Sequence, residues 1–187
     1  MMTLWKSIIQ SKLEHNSQLW SPADQASINS LEDVARHYTA KIDGMEGKSY
    51  PERLKALGML SQERRRERNI IVFLWKVSQG LVKGYKASFN YNERRGNLMI
   101  LAPLKNSAPA TVKKAREASL QVRGAKLFNL IPKELRDGFI SVDKFKADLD
   151  DWLKSIPDEP TSAGRQRAAE SNSLLHQVVY RKDDSLN

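Results

Sequence analysis

The spacing of apolar and polar residues predicts that this chain is built from helices. The pattern is clearest over residues 61–81, where a serine that can cap a helix precedes apolar residues three and four positions apart. The residues on that face are Ile70, Ile71, Phe73, Leu74, Val77 and Leu81. Because Gly80 is a plausible stop signal, we expect a central helix over residues 61–80.

Helical spacing also recurs along most of the remaining chain. The further predicted helices lie at residues 3–13, 23–42, 51–57, 111–131 and 141–156. Glycine and proline interrupt residues 83–110, where we expect a long irregular loop with a short extended piece at 98–101. The expected fold class is therefore all-α, an irregular bundle of about five or six helices.

The end of the chain has a different composition. Residues 157–187 are polar and rich in turn-forming residues, so we expect a mobile C-terminal tail with a brief helix near its end. Residues 1–156 would then form one helical region.

The positive formal charge is concentrated in the middle of the chain, and this bears on the kind of partner. The net formal charge is +9, and residues 61–126 hold 15 basic and 4 acidic side chains, which gives +11. Residues 1–60 are neutral and residues 127–187 carry −2. A local positive field favours nucleic acid as a partner, through phosphate contacts and counterion release. The alternative, an anionic membrane, is disfavoured because the arginines precede an apolar face that a core would bury.

Basic residues of this middle segment are the candidate nucleic-acid contacts. They are Arg64, Arg65, Arg66, Arg68, Lys83, Arg94, Arg95, Lys113, Lys114, Arg116 and Arg123. The four arginines within residues 64–68 are expected at the centre of the surface, because cations oppose the dipole at a helix start and should have another use there. Two other interpretations stay open: a solvated turn laced by charge pairs, and an intramolecular cluster that pairs with the acidic helix 141–156.

The loop at 83–110 interleaves basic residues with the aromatic residues Tyr85, Phe89 and Tyr91. This composition is typical of segments that stack bases and follow a nucleic-acid backbone. The alternative is that the rings tether the loop to the protein core.

The sequence shows no self-sufficient active site. Cysteine is absent, which excludes disulfides, thiolate zinc sites and cysteine nucleophiles, and the three histidines lack ligand spacing. Asp148, Asp150 and Asp151 share one predicted helix, where a solvated face is the expected interpretation. No glycine-rich phosphate loop and no GxSxG motif occurs. An enzyme remains a hypothesis only through carboxylates that folding brings together.

No stretch approaches 18 apolar residues, and the N-terminus lacks the apolar region of a secretion signal. The protein is expected to be intracellular, in the cytoplasm or the nucleus, with no membrane partner.

Residues 13–22, LEHNSQLWSP, resemble the segment that follows the catalytic palm in reverse transcriptases of non-LTR retrotransposons, the long interspersed elements. That family usually has Tyr where this chain has His15. The resemblance continues in order through Leu31-Glu32, Val34, Arg36, Thr39, Ser49-Tyr50, Glu52-Arg53-Leu54, Leu57-Gly58 and Glu63-Arg64-Arg65. Ala35 replaces the usual Gln, and Tyr38 replaces the usual Phe.

A second block resembles the C-terminal region of the same family. It comprises Arg123, Phe128-Asn129, Ile131-Pro132, Ser141-Val142, Phe145-Lys146 and Leu149-Asp150. Phe128 and Ile131 depart from the family's Trp and Leu. Together the two blocks cover roughly residues 4–180 in unbroken order, and several spaced motifs are far more specific than one.

The resemblance implies a thumb-like and C-terminal part of an RNA-directed DNA polymerase, without the palm that carries the catalytic carboxylates. Its implied partners are RNA or an RNA/DNA template–primer, together with the palm of a full-length enzyme. Mg²⁺ is expected only with that palm, and no other cofactor is implied. A second hypothesis is a stand-alone helical protein-interaction module that docks through helices 3–13 and 141–156.

Overall fold

A computed structural model describes residues 2–22, 24–83, 90–92, 94, 98–100, 107–138, 140–160 and 172–178. The fold is all-α, which confirms the fold class expected from the sequence. The chain divides into two compact units, and unit 1 comprises Met1–Glu67 and Ile156–Asn187. Unit 2 comprises Arg68–Ser155. The segment after residue 156 therefore belongs to unit 1.

Unit 1 begins with an unbroken helical stretch. It consists of α1 (Met2–Leu4), a π-helical segment (Trp5–Ile9) and α2 (Gln10–Glu14). Next come α3 (Ser17–Trp20), α4 (Gln25–Thr39), α5 (Tyr50–Ala56) and α6 (Gln62–Ser78). The first residues of α6 lie in unit 1 and the remainder lies in unit 2. Helix α4 starts after Asp24, whose Oδ1 accepts a hydrogen bond of 2.9 Å from the Ser27 amide.

The core of unit 1 is a small apolar cluster built by the first helical stretch, α4 and α5. Trp5, Ala35, Tyr50 and Leu54 are buried together, and the Trp5 ring lies 4.8 Å from the ring of Tyr38 between centroids. Trp5 and Leu54 lie in helices that the sequence predicts at residues 3–13 and 51–57.

Unit 2 contains the described strands and the remaining helices. They are β1 (Asn90–Asn92), β2 (Leu98–Ile100), α7 (Ala110–Ala118), α8 (Leu120–Leu130), α9 (Lys133–Asp137) and α10 (Val142–Lys154). The strands pair antiparallel, with Tyr91 opposite Met99. The outer edge of β2 is closed by a side chain, because Asn129 Oδ1 accepts from the Met99 amide at 2.8 Å and Asn129 Nδ2 donates to the Met99 carbonyl at 3.0 Å.

The single helix expected over residues 111–131 is two helices. Ser119 separates α7 from α8 with an extended backbone, φ −65° and ψ 148°. Its Oγ accepts a hydrogen bond from the Val122 amide at 3.4 Å, so the serine acts as the N-cap of α8.

The core of unit 2 forms around the apolar half of α6. Ile70, Ile71 and Leu74 are buried as the periodicity predicts, while Leu81 is 55% exposed. Leu81 leaves the face because α6 ends at Ser78, before the left-handed Gly80.

Two close contacts hold other helices of unit 2 to α6. The Trp75 ring stacks on Phe145 of α10, with centroids 4.3 Å apart and planes 9° apart. On α8, a Cβ added to Gly124 would lie 2.6 Å from Leu74 Cδ1, so a larger residue there would require the Leu74 side chain to shift.

Candidate nucleic-acid interface

The arginine cluster at the start of α6 is mostly inside the protein. Arg64 is 0% exposed and Arg66 is 2% exposed. Arg64 Nη2 donates to the Pro157 carbonyl at 3.0 Å, to the Asn172 carbonyl at 3.1 Å and to Gln177 Oε1 at 3.2 Å. The expectation of an exposed cluster is therefore wrong for Arg64 and Arg66, and Arg64 is held by contacts from residues 157, 172 and 177.

The other two arginines of the cluster form ion pairs within their own units. Arg65 pairs with Glu14 of α2 in unit 1. In unit 2, Arg68 pairs with Asp150 of α10 through two nitrogens, and its Nη2 lies 2.8 Å from Asp150 Oδ2. These contacts agree with the interpretation that the arginines pair within the protein. Of these two arginines, only Arg68 pairs with the acidic helix predicted at residues 141–156 among the described residues.

A buried carboxylate from another helix adds negative charge at the start of α6, where the first turn already contains Glu63. Glu32 of α4 accepts hydrogen bonds from the Gln62 amide at 2.9 Å and from the Glu63 amide at 3.2 Å, and the Tyr50 hydroxyl also donates to it. Burial raises the pKa of Glu32 above its ordinary value despite these hydrogen bonds. The helix dipole is thus complemented by a residue 30 positions away.

Residues 172–178, which we name the C-terminal strap, are fixed to α6 by polar contacts. Glu67 accepts hydrogen bonds from the Ser173 hydroxyl and, at 2.9 Å, from the Leu174 amide, which caps the strap's helical turn. Asn172 Nδ2 donates to Ser61 Oγ at 3.1 Å and to Asp158 Oδ1 at 2.8 Å. The sequence placed this segment in a mobile tail, but Asn172 and Leu174 are buried.

Helices α7 and α8 of unit 2 carry a group of basic residues at or near the protein surface. Lys113 and Lys114 are exposed, Arg116 and Arg123 are half-buried, and Lys126, which the sequence did not single out, is also exposed. We name these five residues the α7–α8 basic surface. Helix α7 has no buried residue. Lys126 could have been found from its spacing three residues after Arg123 on the polar face of α8.

The other residues that the sequence predicts as nucleic-acid contacts lie in the segment from residue 83 to residue 95. Lys83 and Arg94 are exposed residues of unit 2. Arg95, Tyr85 and Phe89 lie outside the described residues. Tyr91 is half-buried on β1, and burial raises the pKa of its hydroxyl.

The net charge is distributed unequally between the two units. Unit 2 has 17 basic and 8 acidic residues, a net charge of +9, whereas unit 1 has 14 of each and is neutral. Helix α10 contributes none of this excess, because each of its lysines pairs with an aspartate: Lys144 with Asp148, Lys146 with Asp143 and Lys154 with Asp151. The positive charge of the protein therefore resides in residues 68–140, with 14 basic and 4 acidic side chains.

No group of three or more His, Asp or Glu side chains that could hold a metal ion occurs among the described residues. Within the same part of the chain, no helix is both long enough and apolar enough to cross a bilayer.

Comparison with known proteins gives no match: no family model, no curated protein and no solved structure is similar to this chain.

Proposed function

We propose that this chain is a nucleic-acid-binding, thumb-like part of a non-LTR retrotransposon reverse transcriptase, with the α7–α8 basic surface as its contact to RNA or to a template–primer. The observation that carries the proposal is the concentration of the whole net charge in unit 2, beside a neutral unit 1. Polymerisation would require a palm and its Mg²⁺-binding carboxylates. The resemblance of the spaced motifs supports this assignment of class.

The physical properties of the surface suit contact with phosphates. Lys113, Lys114 and Lys126 are exposed. Each phosphate that a lysine neutralises releases counterions, which makes binding sensitive to salt and tolerant of sequence. Helix α7 has no buried residue, so it can offer Lys113 and Lys114 without any loss of core packing.

The test removes the three exposed lysines together as Lys113→Gln, Lys114→Gln and Lys126→Gln. If each contacts one phosphate, the slope of log K against log salt should become less steep by about 2.7 for a duplex or about 2.1 for a single strand. Fluorescence anisotropy with labelled RNA between about 50 and 200 mM KCl measures this slope.

A matched control changes Lys144, Lys146 and Lys154 of α10 to Gln, which removes the same number of charges from the same unit. This variant should keep the wild-type slope, because these lysines are already paired with aspartates. Equal slopes in both triple variants would mean that α7 and α8 do not form the interface.

The protein-interaction module remains a second candidate because the first helical stretch has an exposed apolar strip. Leu4 is 51% exposed and Ile8 is 48% exposed, one turn apart on the same face. This candidate predicts that RNA binding is absent even at low salt. It also predicts that a purified binding partner would be lost in a Leu4→Ser, Ile8→Ser variant and kept in Lys113→Gln.

A further inference from the structure

Unit 1 contains a cleft of about 510 Å³ beside the start of α5. This volume lies in the range of small-molecule sites. Its lining residues are Arg36, Ser49, Tyr50, Pro51, Arg53, Glu159 and Pro160. The cleft combines cations, an aromatic ring and a carboxylate, and none of its lining residues belongs to the α7–α8 basic surface.

Two guanidinium groups in the cleft wall are held in place by the Tyr50 ring. The guanidinium carbon of Arg36 lies 5.1 Å from the ring centroid, and that of Arg53 lies 5.7 Å from it. Both distances permit cation–π attraction. The Tyr50 hydroxyl donates to the buried Glu32, which fixes the ring. The two cations are therefore positioned before any ligand arrives, which lowers the entropic cost of binding.

Arg53 keeps hydrogen-bonding capacity for a ligand. Its Nε donates to Thr39 Oγ1 at 3.3 Å, its Nη1 to the Lys48 carbonyl at 3.0 Å and its Nη2 to the Arg36 carbonyl at 3.3 Å. An arginine has five N–H donors, so three are used among the described residues and two are left for a ligand. The planar group can also stack against a flat ring.

The acidic residues around the cleft decide which kind of ligand fits. Asp33 pairs with Arg36, and Glu52 accepts hydrogen bonds from Ser49, so both carboxylates already have partners. Glu159 is exposed at the cleft and would repel a simple oxyanion. A ligand that carries both an anionic group and N–H donors would satisfy Arg53 and Glu159 together.

We propose that this cleft binds a single nucleotide. Arg53 would receive the phosphate, the Glu159 carboxylate would accept a hydrogen bond from an exocyclic amino group of the base, and a guanidinium plane would stack on the base. The shared chemistry is one nucleoside monophosphate unit, either free or as an unpaired residue of a strand. The inference does not rest on the proposed function, since a free nucleotide tests it directly.

The experiment titrates the full chain with cytidine 5′-monophosphate and, separately, with inorganic phosphate, by isothermal titration calorimetry. We expect the nucleotide to bind at least about tenfold more tightly than phosphate, a difference of one good hydrogen bond. Glu159→Ala should weaken the nucleotide by about tenfold and strengthen phosphate, because the same substitution removes an acceptor and a repelling charge. Glu159 is exposed, so this variant should fold normally.

Two further measurements distinguish a free nucleotide from an unpaired residue of a strand, and the cleft from the α7–α8 basic surface. A hairpin with a single-stranded end, compared with a blunt hairpin, shows whether the cleft also takes an unpaired residue of a strand. The triple Lys→Gln variant of the α7–α8 basic surface should bind cytidine monophosphate as the wild type does. The inference is overturned if the nucleotide does not bind, if phosphate and nucleotide respond to Glu159→Ala in the same direction, or if the triple variant abolishes nucleotide binding.

Discussion

Arg64 offers a direct test of where the basic residues act, because its sequence context indicates a nucleic-acid contact and its position in unit 1 indicates a structural role. Arg64→Met keeps much of the buried stem but removes the donors to the Pro157 carbonyl, the Asn172 carbonyl and Gln177. We expect unit 1 to lose stability and nucleic-acid binding to keep its salt dependence.

The size of the loss follows from these contacts. Hydrogen bonds from a charged donor contribute about 1.5–3 kcal/mol each, and the two N–H groups of Nη2 serve the three acceptors, which gives about 3–6 kcal/mol. Methionine recovers part of this because no cation has to be desolvated, so the net loss should be about 2–4 kcal/mol. A loss of that size is a large part of the stability of an ordinary domain, about 5–15 kcal/mol.

Urea unfolding followed by tryptophan fluorescence measures the stability, and RNA anisotropy across a salt series measures the slope. Lys114→Met is the matched control, because it makes the same change of charge at an exposed position of α7. It should leave stability unchanged and reduce the slope by about 0.9 for duplex RNA. If Arg64→Met retains full stability and instead reduces the salt slope of RNA binding, Arg64 contacts nucleic acid and does not have a structural role.

Two further predictions concern unit 2 and the buried carboxylate of unit 1. Gly124→Ala should destabilise unit 2 by about 1–2 kcal/mol in urea unfolding, because its Cβ would lie 2.6 Å from Leu74 Cδ1 and overpacking exceeds the gain of about 0.5–1 kcal/mol that alanine brings to a helix; an unchanged or higher midpoint would show that the Leu74 side chain moves aside at little cost. Since burial raises the folded pKa of Glu32, its contribution to stability is complete below its unfolded pKa, near 4.5, and is lost as pH rises through the folded value. Glu32→Gln should therefore gain stability relative to wild type as the pH rises above 4.5. If the variant instead loses stability relative to wild type over this rise, the capping hydrogen bonds outweigh burial.

Local signals predicted much of the helical framework. Ser61 precedes α6, Ser141 caps α10, and the buried face at Ile70, Ile71 and Leu74 follows from spacing alone. These features depend on residues within four positions of one another, so periodicity and capping chemistry contain the needed information. The break at Ser119 was missed because a serine inside an apolar repeat can either continue a helix or cap the next one.

The candidate interface was predicted only in part, because charge along a sequence does not reveal which side chains become exposed. Lys113 and Lys114 are exposed as an interface requires, whereas Arg64 belongs to the same basic segment and is fully buried. Local patterning cannot separate these cases. The acceptors that hold Arg64 lie 93 to 113 residues away in the chain, and such pairings depend on the folded backbone.

The sequence by itself determined the helical class, the apolar faces and the net positive charge of the protein, since composition and short-range spacing are properties of neighbouring residues. Only the tertiary structure decided which charges became partners. It placed Glu32 at the start of α6, attached the C-terminal strap to Glu67, and left Lys113, Lys114 and Lys126 exposed on α7 and α8. The physical reason is that burial of a charged group requires a partner with the right geometry, and residues distant in sequence supply that partner only after the chain has folded.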